Sequence, residues 1–157
     1  MKITVAVVCL AGLTVISGWA QTGSKPQSNS KPNPAVQRGK YLVTQVGLCQ
    51  DCHTPRNQKG AYIQQKWLQG APIMFSPSVE MPWAGTAPPI AGLEGWSDPQ
   101  ILKFLATGVD RDGKHPRPPM PEYRFNNADA KAVAAYLRSL KPETATEKSA
   151  PAESGRK

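Results

Sequence analysis

Large aromatic side chains are scarce in this sequence. Phe, Trp and Tyr make up 7% of the 157 residues, which is thin material for a domain core. Sixteen prolines leave little room for long strands. No alternation of strand and helix patterns appears, and there is no internal repeat. A fold this poor in core material can be completed by something flat and organic that fills its interior. The rest is ordinary. Charged residues are 19%, the mean hydropathy is −0.42, and the length suits one domain.

Cysteine is nearly absent too, with three residues, and one of these is expected to be lost. Residues 1–20, "MKITVAVVCLAGLTVISGWA", have one Lys, an apolar stretch from Ile3 to Gly18, and small residues at Gly18 and Ala20. This reads as an export signal cut after Ala20. Retained, it would anchor the chain in a membrane, although it is short for a span and its positive start is weak. Cys9 follows Val8, not a small residue, which argues against a lipid-modified cysteine. The mature chain then keeps only Cys49 and Cys52, in an oxidising compartment.

Residues 21–34 are polar and rich in Pro, Ser and Asn, and read as a flexible linker. Residues 142–157 read as a disordered tail. Residues 35–141 lie between and form the domain. Three helices are expected there. The first spans about Ala35 to Thr44 behind Pro34. Its Gly39 costs helix stability and so suggests close approach to another helix. The second, "SDPQILKFLATG", has Ser97 as cap, Gln100 closing a capping box and Gly108 as terminator. Its inner stripe is Ile101, Leu102 and Leu105. The third has Asn127 as cap and Pro142 as stop, with Ala130, Val133, Ala134, Leu137 and Leu140 on the helical period. The stretch from Pro55 to Trp96 reads as loops. The fold class is all-α with long Pro/Gly-rich loops.

The chemistry concentrates in Cys49-Gln50-Asp51-Cys52-His53. A redox dithiol belongs at a strand-to-helix junction, which this chain lacks. Zinc wants four converging ligands; adjacent Cys52 and His53 converge poorly, and His115 is the sole other histidine. The spacing suits covalent haem best. Two thiols one helical turn apart reach two vinyl groups on one porphyrin edge, and the next residue offers an imidazole to the iron.

A second axial ligand is then needed. Met120 lies among Pro118, Pro119 and Pro121, which restrict the backbone and suit a thioether held at fixed distance. Met74 and Met81 are the alternatives among methionines. His115 is a rival, though Lys114 and Arg117 beside it suggest a solvated basic loop.

The segments "RGKYLVTQVGLCQDCHTP", "GLEGWSDPQILKFLATGVDRDGK" and "PPMPEYRFNNADAKAVAAYLRSL" together resemble class I monohaem cytochromes c. More narrowly they resemble small exported cytochromes akin to the c-type subunits of periplasmic alcohol and aldehyde dehydrogenases. The resemblance covers about residues 35–141 and is weakest over Tyr62–Met81. It implies a cytochrome c-like fold around one haem c. It makes Cys49 and Cys52 the thioether attachments and His53 and Met120 the axial ligands. It also implies that the first and last helices cross, with Gly39 and Tyr41 facing Tyr136 and Leu137. A backbone carbonyl near Gly70–Pro72 is expected to accept from the His53 ring. Ile101, Leu105 and Val133 are expected to cover the haem, and Trp83 or Trp96 to reach a propionate.

An iron with both axial sites filled has no place for substrate. The expectation is a periplasmic one-electron carrier, not an enzyme. The alternative is an electron-transfer subunit or membrane-tethered module of a larger dehydrogenase or oxidase complex. The net charge of +8 becomes +7 once Lys2 leaves. Arg111, Lys114, Arg117 and Arg124 surround Met120 and suggest redox partners with acidic docking surfaces. Nucleic acid is not expected, and membrane contact only if the signal is uncleaved.

Overall fold

The computed structural model of the protein describes residues 32–142. The expected signal peptide and nearly all of the expected linker and tail lie outside them. Helix α1 (Pro34–Tyr41) starts where Asn33 accepts the Ala35 N–H at 2.9 Å; Pro34, with no N–H to satisfy, occupies the first turn. An α-helix was expected to continue to Thr44. Instead Leu42–Val46 widens into a π turn, closed by the Gly47 N–H on the Leu42 carbonyl at 2.7 Å. That turn buries Leu42 and Val43 and leads into α2 (Gln50–His53), the single turn that carries the cysteine motif.

The stretch after it is irregular, as expected. It holds two short 3₁₀ turns, Gln64–Lys66 and Ala91–Leu93, and a two-residue antiparallel pair, β1 (Ala71–Pro72) with β2 (Thr86–Ala87). Leu68 fastens this region to the core. It is fully buried, its N–H donates to Thr54 Oγ1 at 2.9 Å, and its carbonyl accepts from Ile90 and Ala91.

Helix α3 (Asp98–Thr107) has the punctuation its sequence announces. Ser97 and Gln100 form a capping box, with the Ser97 N–H on Gln100 Oε1 at 2.9 Å. Gly108 takes the left-handed conformation at φ 72° and returns its N–H to the Phe104 carbonyl. Ile101 and Leu105 are buried, while Leu102 sits at the margin. Helix α4 (Asn127–Ser139) is capped by Asn126, not by Asn127. Asn126 keeps an extended backbone and accepts the Asp129 N–H at 2.9 Å; Asn127 is already helical and cannot serve. Of the expected stripe, Ala130, Val133, Ala134 and Leu137 are buried, joined by Ala132 and Tyr136, while Leu140 lies just past the helix end and is only partly buried.

Helices α1 and α4 cross at Gly39. A Cβ there would lie 1.9 Å from the Ala132 carbonyl oxygen and 2.7 Å from Tyr136 Cβ, so the crossing admits no side chain. Leu137 is buried in the core, and Tyr136 faces the crossing as expected. Tyr41 does not: it is half-exposed, with the Arg38 guanidinium 5.6 Å from its ring centroid. Two residues on from Gly39 is the far side of a helix. Leu42 and Val43, three and four on, share the buried face. None of the described helices is long and apolar enough to cross a membrane.

Candidate functional site

A cavity of about 540 Å³ lies beside α2, and Cys49, Cys52, His53 and Met120 all line it. Most of the remaining lining is apolar, from Ile73 and Ala84 in the irregular region to Ile101 and Phe104 on α3.

His53 is buried. Its Nδ1 lies 2.7 Å from the Pro88 carbonyl oxygen. A carbonyl can only accept, so Nδ1 carries the proton and the lone pair is left on Nε2, the arrangement a metal-ligating histidine needs. Burial, partly offset by this bond, holds the ring's pKa below its usual value and keeps it neutral. The partner corrects the expectation of Gly70–Pro72. Those residues do adjoin His53, but through its backbone: the Gly70 N–H donates to the His53 carbonyl at 2.8 Å. Ala71 then pairs with Ala87, and the residue after Ala87 brings the carbonyl to the ring.

The two thiols are free. Burial, partly offset by the neighbouring Tyr123 hydroxyl, pushes Cys49 up to about 11. Burial also raises Cys52, helped by the charge of Asp51. A reactive dithiol lowers the pKa of its attacking sulfur; both shifts run the other way. Among the described residues no cluster of three or more His, Cys, Asp and Glu could hold a metal ion, which leaves the zinc reading without ligands.

The Met120 loop is tied to the irregular region before it and closed by a turn of its own. Pro118 accepts from the Ala84 N–H at 2.8 Å, and Arg117 from the Met120 N–H at 3.2 Å. The rivals to Met120 stand apart from the cavity lining. Met74 is 86% exposed and Met81 42%, and His115 Nδ1 pairs with Glu122 at 2.9 Å. Ile101 lines the cavity, whereas Leu105 and Val133 sit in the core. Trp96 also lines it. The Trp83 indole N–H is taken by the Phe75 carbonyl at 3.1 Å.

Two features escaped sequence reasoning. Tyr123 lines the cavity and donates its hydroxyl proton to the Gly47 carbonyl at 2.5 Å. Its place three residues after Met120 was the available signal. Leu48 holds a left-handed φ of 49° with no glycine to mark it. The basic collar is also weaker than four cations suggest. Asp110, Asp112 and Glu122 lie in the same stretch, and Glu122 pairs with Arg124 at 2.5 Å.

Two neutral thiols on one helical turn, a neutral imidazole with Nε2 unprotonated, a thioether and apolar walls fit a flat porphyrin bound through sulfur. Comparisons with known proteins bear on the family. The sequence profile of the family Cytochrome c matches residues 36–141. A diheme cytochrome c-type protein of Cereibacter sphaeroides is 31% identical over 134 residues, covering 80% of this chain and 43% of that one. The fructose dehydrogenase cytochrome subunit of Gluconobacter japonicus is 32% identical over 115 residues, 69% of this chain and 22% of its own. The cytochrome c subunit of alcohol dehydrogenase (quinone) from Komagataeibacter europaeus is 35% identical over 121 residues, 70% of this chain and 25% of its own. The chain thus spans less than half the length of these relatives. It belongs to the cytochrome c family, among the class I c-type cytochromes akin to the cytochrome subunits of dehydrogenases.

Proposed function

We propose that the protein is an exported one-electron carrier with a single haem c, held through Cys49 and Cys52, with His53 and Met120 as axial ligands. The observation that carries this is the convergence of those four residues on one apolar cavity. The haem, when bound, supplies a one-electron iron couple. Cys49 and Cys52 fix its edge to α2. Pro88 orients His53 so that Nε2 is the nitrogen offered. Met120 offers a soft thioether, which favours ferrous iron and raises the potential. If His53 and Met120 both held the iron, substrate would have no site on it, which supports electron transfer as the role and not catalysis. One C-x-x-C-H in the sequence supports one haem, although one relative is named diheme.

The export signal supports a periplasmic carrier beginning near Gln21. The net positive charge supports redox partners with acidic docking surfaces. The alternative role, an electron-transfer subunit or membrane-tethered module of a larger complex, is favoured by one observation: two of the relatives are named as cytochrome subunits of dehydrogenases. Copurification with a dehydrogenase would select it.

N-terminal sequencing of the purified protein should begin near Gln21, and its haem content should be one per chain, retained on denaturation. Ferric protein should show the weak long-wavelength sulfur-to-iron charge-transfer band. Met120→Ala should abolish that band, lower the potential and admit carbon monoxide to the ferrous iron; His115→Ala should do none of these. A band that survives in Met120→Ala would reject Met120.

A further inference from the structure

The Gly47 carbonyl belongs to the peptide plane that joins Gly47 to Leu48. Its direction therefore sets the φ of Leu48, which is 49°. That conformation is costly for leucine and persists only where surroundings impose it. Two hydrogen bonds impose it here. The Cys49 N–H donates to the Val43 carbonyl at 3.0 Å on one side, and the Tyr123 hydroxyl holds the Gly47 carbonyl on the other. Space at this point is already used: a Cβ on Gly47 would lie 3.3 Å from Cys49 Sγ and 3.4 Å from the Tyr123 hydroxyl.

Tyr123 is itself firmly seated. Its ring stacks on Phe125 with centroids 5.1 Å apart and planes at 17°, and the Phe125 N–H donates to the Leu105 carbonyl of α3 at 3.0 Å. The hydroxyl thus joins two loops that are remote in sequence, the one bearing Met120 and the one presenting Cys49. We propose that Tyr123 is a positioning residue: its hydroxyl clasps the Met120 loop to the cysteine loop, so that the two open together, and this bond limits how fast an outside ligand displaces Met120. The ligand-displacement half rests on Met120 being an iron ligand; the clasp itself does not.

Two measurements on the holoprotein test this. In wild type, the amides of Gly47, Cys49 and Met120, each hydrogen-bonded, should exchange with solvent through one shared opening, more readily than the α4 amide of Ala130. Separate openings for Met120 and for Gly47 and Cys49 would overturn the clasp, as would exchange of all three only alongside Ala130. In ferric Tyr123→Phe, which keeps the stacked ring, azide should bind roughly three- to tenfold faster, the range that loss of one hydrogen bond's net contribution gives. Tyr62→Phe, which removes a hydroxyl bonded to Asp51 near the same motif, should leave the azide rate unchanged. Equal rates in wild type and Tyr123→Phe would overturn the proposal. Wild type lacking the sulfur-to-iron band would reject Met120 as ligand, and the exchange data alone would then decide the clasp.

Discussion

Thr54 follows His53 directly and is almost wholly buried. Its hydroxyl accepts the N–H of Leu68, a buried residue in the left-handed conformation at φ 58°. Leu68 in turn anchors Ile90 and Ala91, just beyond the Pro88 carbonyl that orients His53. Val matches Thr in shape but cannot accept. Thr54→Val should strand a buried N–H at a cost of about 1–3 kcal/mol, seen as a lower urea midpoint at constant slope. Thr54→Ser keeps the acceptor and should lose only about 0.8 kcal/mol for its methyl. Equal midpoints for Thr54→Val and wild type would mean that the hydroxyl anchors nothing. At this scale the sequence was partly legible. Cys49, Cys52 and His53 stand in five consecutive residues, and Met120 among prolines, so their chemistry shows locally. The Pro88 carbonyl lies 35 residues from His53 and is delivered by a two-residue strand pairing, which no local pattern encodes.

The helices were legible where their ends carry side-chain signals. The capping box and Gly108 fixed α3 at both ends. At α4, adjacent asparagines offered two caps, and only backbone geometry selects Asn126. The π turn after α1 had no signature, because its wider ring is set by where Gly47 and Cys49 must go. Gly39 is the position where element and residue arguments oppose each other. Helix propensity alone makes Gly39→Ala stabilising by up to about 1 kcal/mol. The crossing makes it a clash with the Ala132 backbone and the Tyr136 Cβ, neither of which can swing away. Overpacking of this kind costs typically about 1–3 kcal/mol, and contact with backbone places it at or beyond the upper end. The clash should win. Gly39→Ala should melt several degrees below wild type, and a higher melting temperature would show that α1 and α4 do not approach as closely as Gly39 permits.

For the whole molecule, charge presents two different faces to an approaching partner. The full sequence carries +8, or +7 once Lys2 leaves with the signal. Around Met120 the balance is almost even: Arg111, Lys114, Arg117 and Arg124 face Asp110, Asp112 and Glu122, which leaves one net positive charge. Arg124 is paired with Glu122, and Arg111 donates to the Gly95 carbonyl at 2.6 Å beside the Trp96 ring. Arg117 is the cation that lines the cavity. Screening separates the two faces. At about 0.01 M salt the Debye length is roughly 30 Å and a reagent feels the whole protein; near 0.15 M it is about 8 Å and only the rim counts. The rate of reduction by anionic hexacyanoferrate should therefore fall as salt is raised to about 0.1 M and flatten beyond. Cationic hexaammineruthenium should show the opposite slope over the same range. Arg117→Glu reverses the rim charge while leaving most of the total, so it should slow hexacyanoferrate at 0.15 M by a larger factor than a distant change such as Lys131→Glu. Equal effects of the two substitutions at that salt would mean that electrons do not leave through the Arg117 side of the cavity, and the docking face would have to be sought elsewhere on the molecule.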